Sequence, residues 1–243
     1  MTMKNILNRS VCMGAALVLL SLCSLTIFAE PDIYRQISAT RDGIGKSYMG
    51  REIAQVMGFQ GAQWLERDER EQEEHGDLLL RELALKPGMD VMDVGAGTGY
   101  YSRRMATLVG PKGKIYAIDV QREMVNMLAT LAKKPEFANV KPILGTEKSV
   151  ALPNGVADLA IMVDVYHELE FPVEMLASIT RALRTGGRVV FVEYRTEDPN
   201  VPIKALHKMS EAQIRREAEQ NGLIWERTAN TLPWQHVVIF KTK

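Results

Sequence analysis

Glycine stands at every second position from Gly95 to Gly99, directly after the strand-like Val91-Met92-Asp93-Val94 and directly before an amphipathic stretch at 100–109. Within five residues a buried strand must end, turn and open a helix. Glycines at this spacing let the backbone approach a ligand and adopt dihedrals that a β-carbon forbids, while the first turn of a helix carries unpaired N–H groups. The segment is therefore read as a loop that seats a polar ligand, with an ordinary strain-relieving turn as the alternative. A dinucleotide site calls for Gly-x-Gly-x-x-Gly, and a phosphate loop calls for a Gly-Lys-Ser/Thr ending. Gly95-Ala96-Gly97-Thr98-Gly99-Tyr100 has neither.

A second acid-tipped strand follows. Residues 114–119 form an apolar run that ends in Asp119, 20 residues beyond Gly99. In nucleoside-binding sheets a carboxylate at this place accepts hydrogen bonds from ribose hydroxyls. Asp119 is also a sound N-cap for a helix from Gln121, since aspartate accepts from free amides there. Both roles are compatible.

With Asp93 two residues ahead of the first glycine, the full pattern Asp-x-Gly-x-Gly-x-Gly resembles the first motif of class I S-adenosylmethionine-dependent methyltransferases. The resemblance covers roughly residues 77–243. It implies S-adenosyl-L-methionine as cofactor, held by Asp93, Gly95, Ala96, Gly97, Gly99 and Asp119. It also implies an adenine contact at Glu147 and a contact at Asp164, with solvated or structural carboxylates as the alternatives. The acceptor would meet the donor at Asp164-Val165-Tyr166-His167-Glu168-Leu169, the end of the fourth strand. There His167 is the candidate base, with Tyr166 orienting it or the substrate, because imidazole titrates near neutrality and methyl transfer needs a base only when the acceptor loses a proton. The alternative has Tyr166 and His167 simply opening a helix and packing inward.

Periodicity gives the frame. Strand-like runs at 89–94, 114–119, 140–144, 157–163 and 188–192 alternate with helical spacing at 99–109, 121–132 and 172–183. Alternation of this kind predicts a doubly wound α/β fold with a mostly parallel sheet. Ser210 and Gln213 start a capping-box helix over 211–221 that stops at Asn221-Gly222, and strands follow near 223–228 and 235–241. The family resemblance makes this a seven-stranded sheet with an antiparallel last strand.

Upstream, residues 30–76 are expected to form an N-terminal helical cap. Glu66/Arg70, Arg67/Glu71 and Arg70/Glu74 lie four apart, which predicts a solvated helix laced by ion pairs. In this class such a segment commonly forms a lid, which would let Arg51, Trp64 and Arg67 face the acceptor. Residues 196–202 would form the opposite wall.

Residues 1–29 read as a signal peptide or membrane anchor. Lys4 and Arg9 precede an apolar run at 11–28, and Ala29 offers a cleavage point. The expectation is a periplasmic or secreted domain, or a membrane-anchored one. Both cysteines, Cys12 and Cys23, fall in this leader, so the mature chain would have no disulfide and no cysteine nucleophile. Without the leader, 28 basic residues face 30 acidic ones, with no basic block of the kind that binds phosphate backbones. The Asn/Asp-Pro-Pro-Tyr/Phe tetrad of nucleic-acid amino methylases is absent as well, so nucleic acid is not an expected partner. The four histidines show no metal-ligand spacing. The reading is a methyltransferase acting on a small organic or lipid-like acceptor. Its rivals are an exported adenosyl-binding protein without catalysis and, third, an NAD(P)-dependent oxidoreductase.

Overall fold

Neighbouring side chains along the central strands divide between two cores, as the two-residue period of a strand requires. Val91, Leu159, Ile161, Val190 and Val192 point to one face, and Met92, Ala160, Met162, Val189 and Phe191 to the other. A strand buried on both sides is the mark of a parallel sheet wrapped by helices. The computed structural model describes residues 33–243 of the chain. The leader and its cleavage point lie outside the described residues.

The cap comes first in the chain: β1 (Tyr34–Gln36), β2 (Gly43–Tyr48), β3 (Arg51–Ala54), α1 (Ala62–Leu65), α2 (Arg70–Glu74) and α3 (Gly76–Leu83). The main unit continues with β4 (Asp90–Val94), α4 (Tyr100–Val109), β5 (Lys114–Asp119), α5 (Arg122–Leu131), β6 (Val140–Leu144), β7 (Ala157–Val163), α6 (Pro172–Ala182), β8 (Leu183–Tyr194), α7 (Glu211–Gln220), β9 (Ile224–Ala229) and β10 (Gln235–Lys241). The large sheet has seven strands in the order β6-β5-β4-β7-β8-β10-β9. Pairs among β4 to β8 are parallel, whereas β10 runs antiparallel to both β8 and β9. Helices α3, α4 and α5 cover one face through Leu79, Met105 and Leu128, and α6 and α7 cover the other through Leu176, Ile179 and Ile214. Ser210 caps α7 by accepting the N–H of Gln213 at 3.1 Å. No helix among the described residues is long and apolar enough to cross a membrane.

The cap is not helical throughout. Residues 34–54 form a three-stranded antiparallel sheet, and helix begins only at Phe59 with one 3-10 turn. Lys46 on β2 places its ammonium 4.3 Å from the Tyr34 ring centre and 3.4 Å from that of Phe171, which precedes α6. The charged run at 66–74 is not a surface ladder either. Of its three expected pairs, Arg70–Glu74 forms at 2.9 Å, with Arg70 and Glu74 both buried. Glu66 instead pairs with Arg103 and Glu71 with Arg104, each at 2.6 Å. These charges dock the cap on α4, since the segment breaks at Glu66 and again at His75, where φ is +50°.

A buried ion pair joins the small sheet to the large unit. Arg51 on β3 donates from Nε to Glu217 Oε1 at 2.9 Å and from Nη2 to Oε2 at 3.1 Å, and Glu217 on α7 is fully buried. Removing one partner of such a pair strands the other charge in the core, at a cost of about 3–5 kcal/mol. We expect Arg51→Met to lower the urea unfolding free energy by that amount, and Arg51→Met with Glu217→Met to restore most of it. An unchanged unfolding midpoint in the single variant would show that the pair is not buried as described.

Candidate functional site

A cavity of about 750 Å³ opens along the carboxyl ends of β4, β5 and β7. Open α/β sheets bind ligands at this place because the loops diverge where the strand order reverses. Here β4 is the turning point, with β5 on one side and β7 on the other.

The glycine turn forms the floor. Gly95, Gly97 and Gly99 have φ of +75°, +54° and +87°, the left-handed region that glycine enters without cost. Close approach adds to this requirement. A β-carbon at Gly95 would stand 2.5 Å from Val165, and one at Gly97 would stand 2.7 Å from Leu65 of the cap. The loop's amides are engaged within the protein: Gly95 and Ala96 donate to the Ile118 carbonyl at 2.8 and 2.9 Å, and Gly99 donates to Ala96. Gly97 donates to Asp119 Oδ2 at 3.0 Å. A phosphate needs a nest of free N–H groups. These four are already spent.

What the cavity offers instead is carboxyl groups. Asp119, Glu147, Asp164, Glu168 and Glu170 line it, against Arg70 and Lys204. Asp119 sits at the tip of β5, where its Oδ1 accepts the Gln121 N–H at 2.9 Å. Each oxygen therefore holds one backbone amide and keeps a second acceptor direction. Burial raises the Asp119 carboxyl above its ordinary range, and the amides of Gln121 and Gly97 oppose that rise. Asp164 takes φ +55° at the end of β7. Its Oδ2 accepts from Gln235 Nε2 at 3.0 Å, while its buried Oδ1 has no partner. Burial first, then the neighbouring Glu74 and Glu193, push this carboxyl well above the usual range. Glu147 lies exposed on the rim, after β6.

Asp93, Ala96, Gly99 and Tyr166 do not line the cavity. Asp93 is buried behind the loop and accepts from Ser102 Oγ at 2.5 Å, so it braces the first turn of α4. Burial raises it to about 6 even though Ser102 favours its charged form. Tyr166 is fully buried with its ring edge-on to Phe191, centroids 4.8 Å apart. A phenol packed inside the core cannot touch an acceptor, which corrects its assignment as a catalytic partner. Arg51 and Arg67 are also away from the cavity lining: Arg51 clamps Glu217 and donates to the His167 carbonyl at 3.1 Å, and Arg67 stacks on Trp64 at 3.8 Å. Trp64 does line the cavity, and the opposite wall runs through Pro202, Ile203, Lys204 and His207.

His167 is buried in the one-turn 3-10 helix Tyr166–Glu168. Its Nδ1 faces Glu193 Oε2 at 2.6 Å, and its Nε2 faces His207 Nδ1 at 3.1 Å. Burial alone would lower its pKa, but the charge and hydrogen bond of Glu193 outweigh that and hold the imidazole above its ordinary value. Glu168 turns its Oε1 to the same point, 3.4 Å from His207 Nδ1, and the Met57 N–H fixes that oxygen at 3.2 Å. Glu193 and His207 were missed in the sequence. His207 is 40 residues from His167, so no local spacing joins them. Glu193 did leave a signal, since an acid closing the apolar run 189–192 needs a partner.

Known proteins share this sequence pattern and fold. A family model described as a methyltransferase domain matches residues 85–238. A demethylmenaquinone methyltransferase of Geobacillus is 25% identical over 114 residues, 47% of this chain and 49% of that protein. A ubiquinone/menaquinone biosynthesis C-methyltransferase UbiE of Coxiella burnetii is 25% identical over 132 residues, 54% and 52%. The chain thus spans about half the length of the curated relatives it matches. The crystal structure of a SAM-dependent methyltransferase from Aquifex aeolicus superposes with a TM-score of 0.73 at 27% identity, covering 77% of this chain and 100% of that one. The [4+2]-cyclase SpnF, at 16% identity and a TM-score of 0.58, shares the fold alone. With the motif and the strand order together, the chain belongs to the methyltransferase-domain family and has the class I S-adenosylmethionine-dependent methyltransferase fold.

Proposed function

We propose that the acceptor is a flat, largely apolar molecule carrying an ionisable hydroxyl, of the phenol or quinol kind. The observation that carries this is the division of the cavity. Val56, Met57, Leu169, Met175, Pro202 and Ile203 give it apolar walls, and His167, Glu168 and His207 form one polar pole. Such a pocket takes an apolar ring by area and fixes its orientation by one polar contact. The quinone-biosynthesis relatives, which carry C-methyltransferase in one name, support the same class of acceptor.

The residues divide the work. Asp119 takes the ribose hydroxyls of the donor, and the unpartnered Asp164 Oδ1 suits its ammonium group. On this reading Glu147, on the cavity rim, accepts from the adenine amine. When bound, S-adenosylmethionine supplies a methyl group on a sulfonium that leaves as a neutral thioether, so alignment provides most of the acceleration. His167 holds the acceptor's hydroxyl and receives its proton at Nε2, because Nδ1 is occupied by Glu193. The resulting oxyanion makes the oxygen the nucleophile, or a ring carbon conjugated to it; a methylated ring carbon then gives up its own hydrogen as a proton, which restores the aromatic hydroxyl. A general base of this type contributes about 10²–10⁴-fold. With a labelled methyl donor and a panel of phenols, quinols, amines and thiols, we expect label on the hydroxylated aromatics, and a loss of kcat in that range for His167→Ala. Equal turnover by His167→Ala would remove the base, and labelling of amines alone would overturn the acceptor class.

We also propose that the catalytic domain works outside the cytoplasm or at the membrane, on the support of the basic-then-apolar leader. A phosphatase fused to the carboxyl terminus should then be active in intact bacteria. A fusion that is made but inactive would contradict export.

A further inference from the structure

We propose that His167 Nε2, His207 Nδ1 and Glu168 Oε1 form a divalent-cation site at the polar end of the cavity. The inference rests on the reading of that pole as the place where the acceptor's oxygen binds, and it goes further by assigning a metal there. The three ligand atoms lie 3.1, 3.4 and 3.8 Å apart. For metal–ligand bonds of about 2.1 Å, these separations correspond to angles of roughly 95° to 130° at a common centre. Three side chains from two distant segments thus surround one point, as ligands on one face of an ion do.

The surroundings are those of ligands rather than of a chance cluster. A metal-binding histidine usually gives its other ring nitrogen to a carboxylate, which fixes the tautomer and raises its basicity. Glu193, fully buried, does this to His167 Nδ1 at 2.6 Å. Glu168 is positioned by the Met57 amide, and the His167 backbone by Arg51. All three ligands face the cavity, so the remaining coordination positions open toward the acceptor. Two imidazoles and one carboxylate suit zinc, manganese, iron or cobalt better than magnesium or calcium.

The consequence is chemical. A cation here would bind the acceptor's hydroxyl oxygen and release its proton to water, so His167 in the loaded site binds metal in place of the proton. An acceptor with two adjacent oxygens would bind through both.

The test uses the full chain in mild detergent, stripped of metal with a chelator and titrated with Co²⁺ by visible absorption. We expect one Co²⁺ per chain. Glu193→Gln should weaken binding about 10–100-fold, the usual effect of losing a carboxylate behind a ligand histidine. His207→Ala should weaken it at least as much. Calorimetry with S-adenosylhomocysteine on the His207→Ala sample should still show binding, which reports that the fold and the adenosyl site are intact. Absence of Co²⁺ binding by the wild type, or equal binding by both variants, would overturn the site. Sustained methyl transfer by the chelated enzyme would overturn the metal while leaving the methyltransferase reading standing.

Discussion

Three hydrogen bonds tie the two strand ends on which the site rests, and the one that engages a site carboxylate is that from the Gly97 N–H to Asp119 Oδ2, at 3.0 Å. It links the turn after β4 to the tip of β5, and the Ile118 carbonyl reinforces it by accepting from Gly95 and Ala96. The glycine turn is thereby fixed before any ligand arrives. The amides of Gly95, Ala96, Gly97 and Gly99 are consumed, and Asp119 is left facing the cavity. That balance favours a cationic nucleoside over an anionic dinucleotide, because carboxylates attract a sulfonium and an ammonium and repel a pyrophosphate.

The cap depends on the same frame from the other side. Leu65 closes over Gly97, where an added β-carbon would stand 2.7 Å from its side chain, and the Phe59 amide donates to Gln121 at 2.8 Å. Its charges are structural. Arg70 lies over the rings of Tyr100 and Tyr101, and Tyr194 donates to Glu74 at 3.1 Å. The cavity wall is therefore held by buried ion pairs and aromatic faces, and its dimensions follow from where α4 and β8 place their tyrosines. Arg51 connects this packing to the chemistry, because one guanidinium binds Glu217 and the His167 carbonyl together.

The sheet was legible because its strands are buried on both faces and bounded by glycine or polar breaks. The runs at 114–119, 140–144 and 157–163 coincide with β5, β6 and β7. Helix α7 was legible through the Ser210 cap. Residues 34–54 were not, since their strands are short and their apolar residues are few, and the cap's sheet is stabilised by long-range partners such as Phe171 and Glu217. The charged run misled for the same reason: spacing four apart predicts pairs within a helix, yet Arg103 and Arg104 compete for the same carboxylates. Asp93 shows a further limit. A motif identifies an acid that matters, but only the fold shows that it braces Ser102 behind the loop. The convergence of His167, Glu168, Glu193 and His207 belongs to tertiary structure and has no local signature.

The central claim is that Asp119 holds the donor's ribose at the edge of the glycine turn. Calorimetry with S-adenosylhomocysteine on the wild type, Asp119→Asn and Asp119→Ala tests it most directly. Charge-assisted hydrogen bonds of about 1.5–3 kcal/mol each predict a loss of affinity of about 10-fold or more in Asp119→Asn and a larger one in Asp119→Ala, with both variants folded. Unchanged affinity in both would place the nucleoside elsewhere and contradict the account.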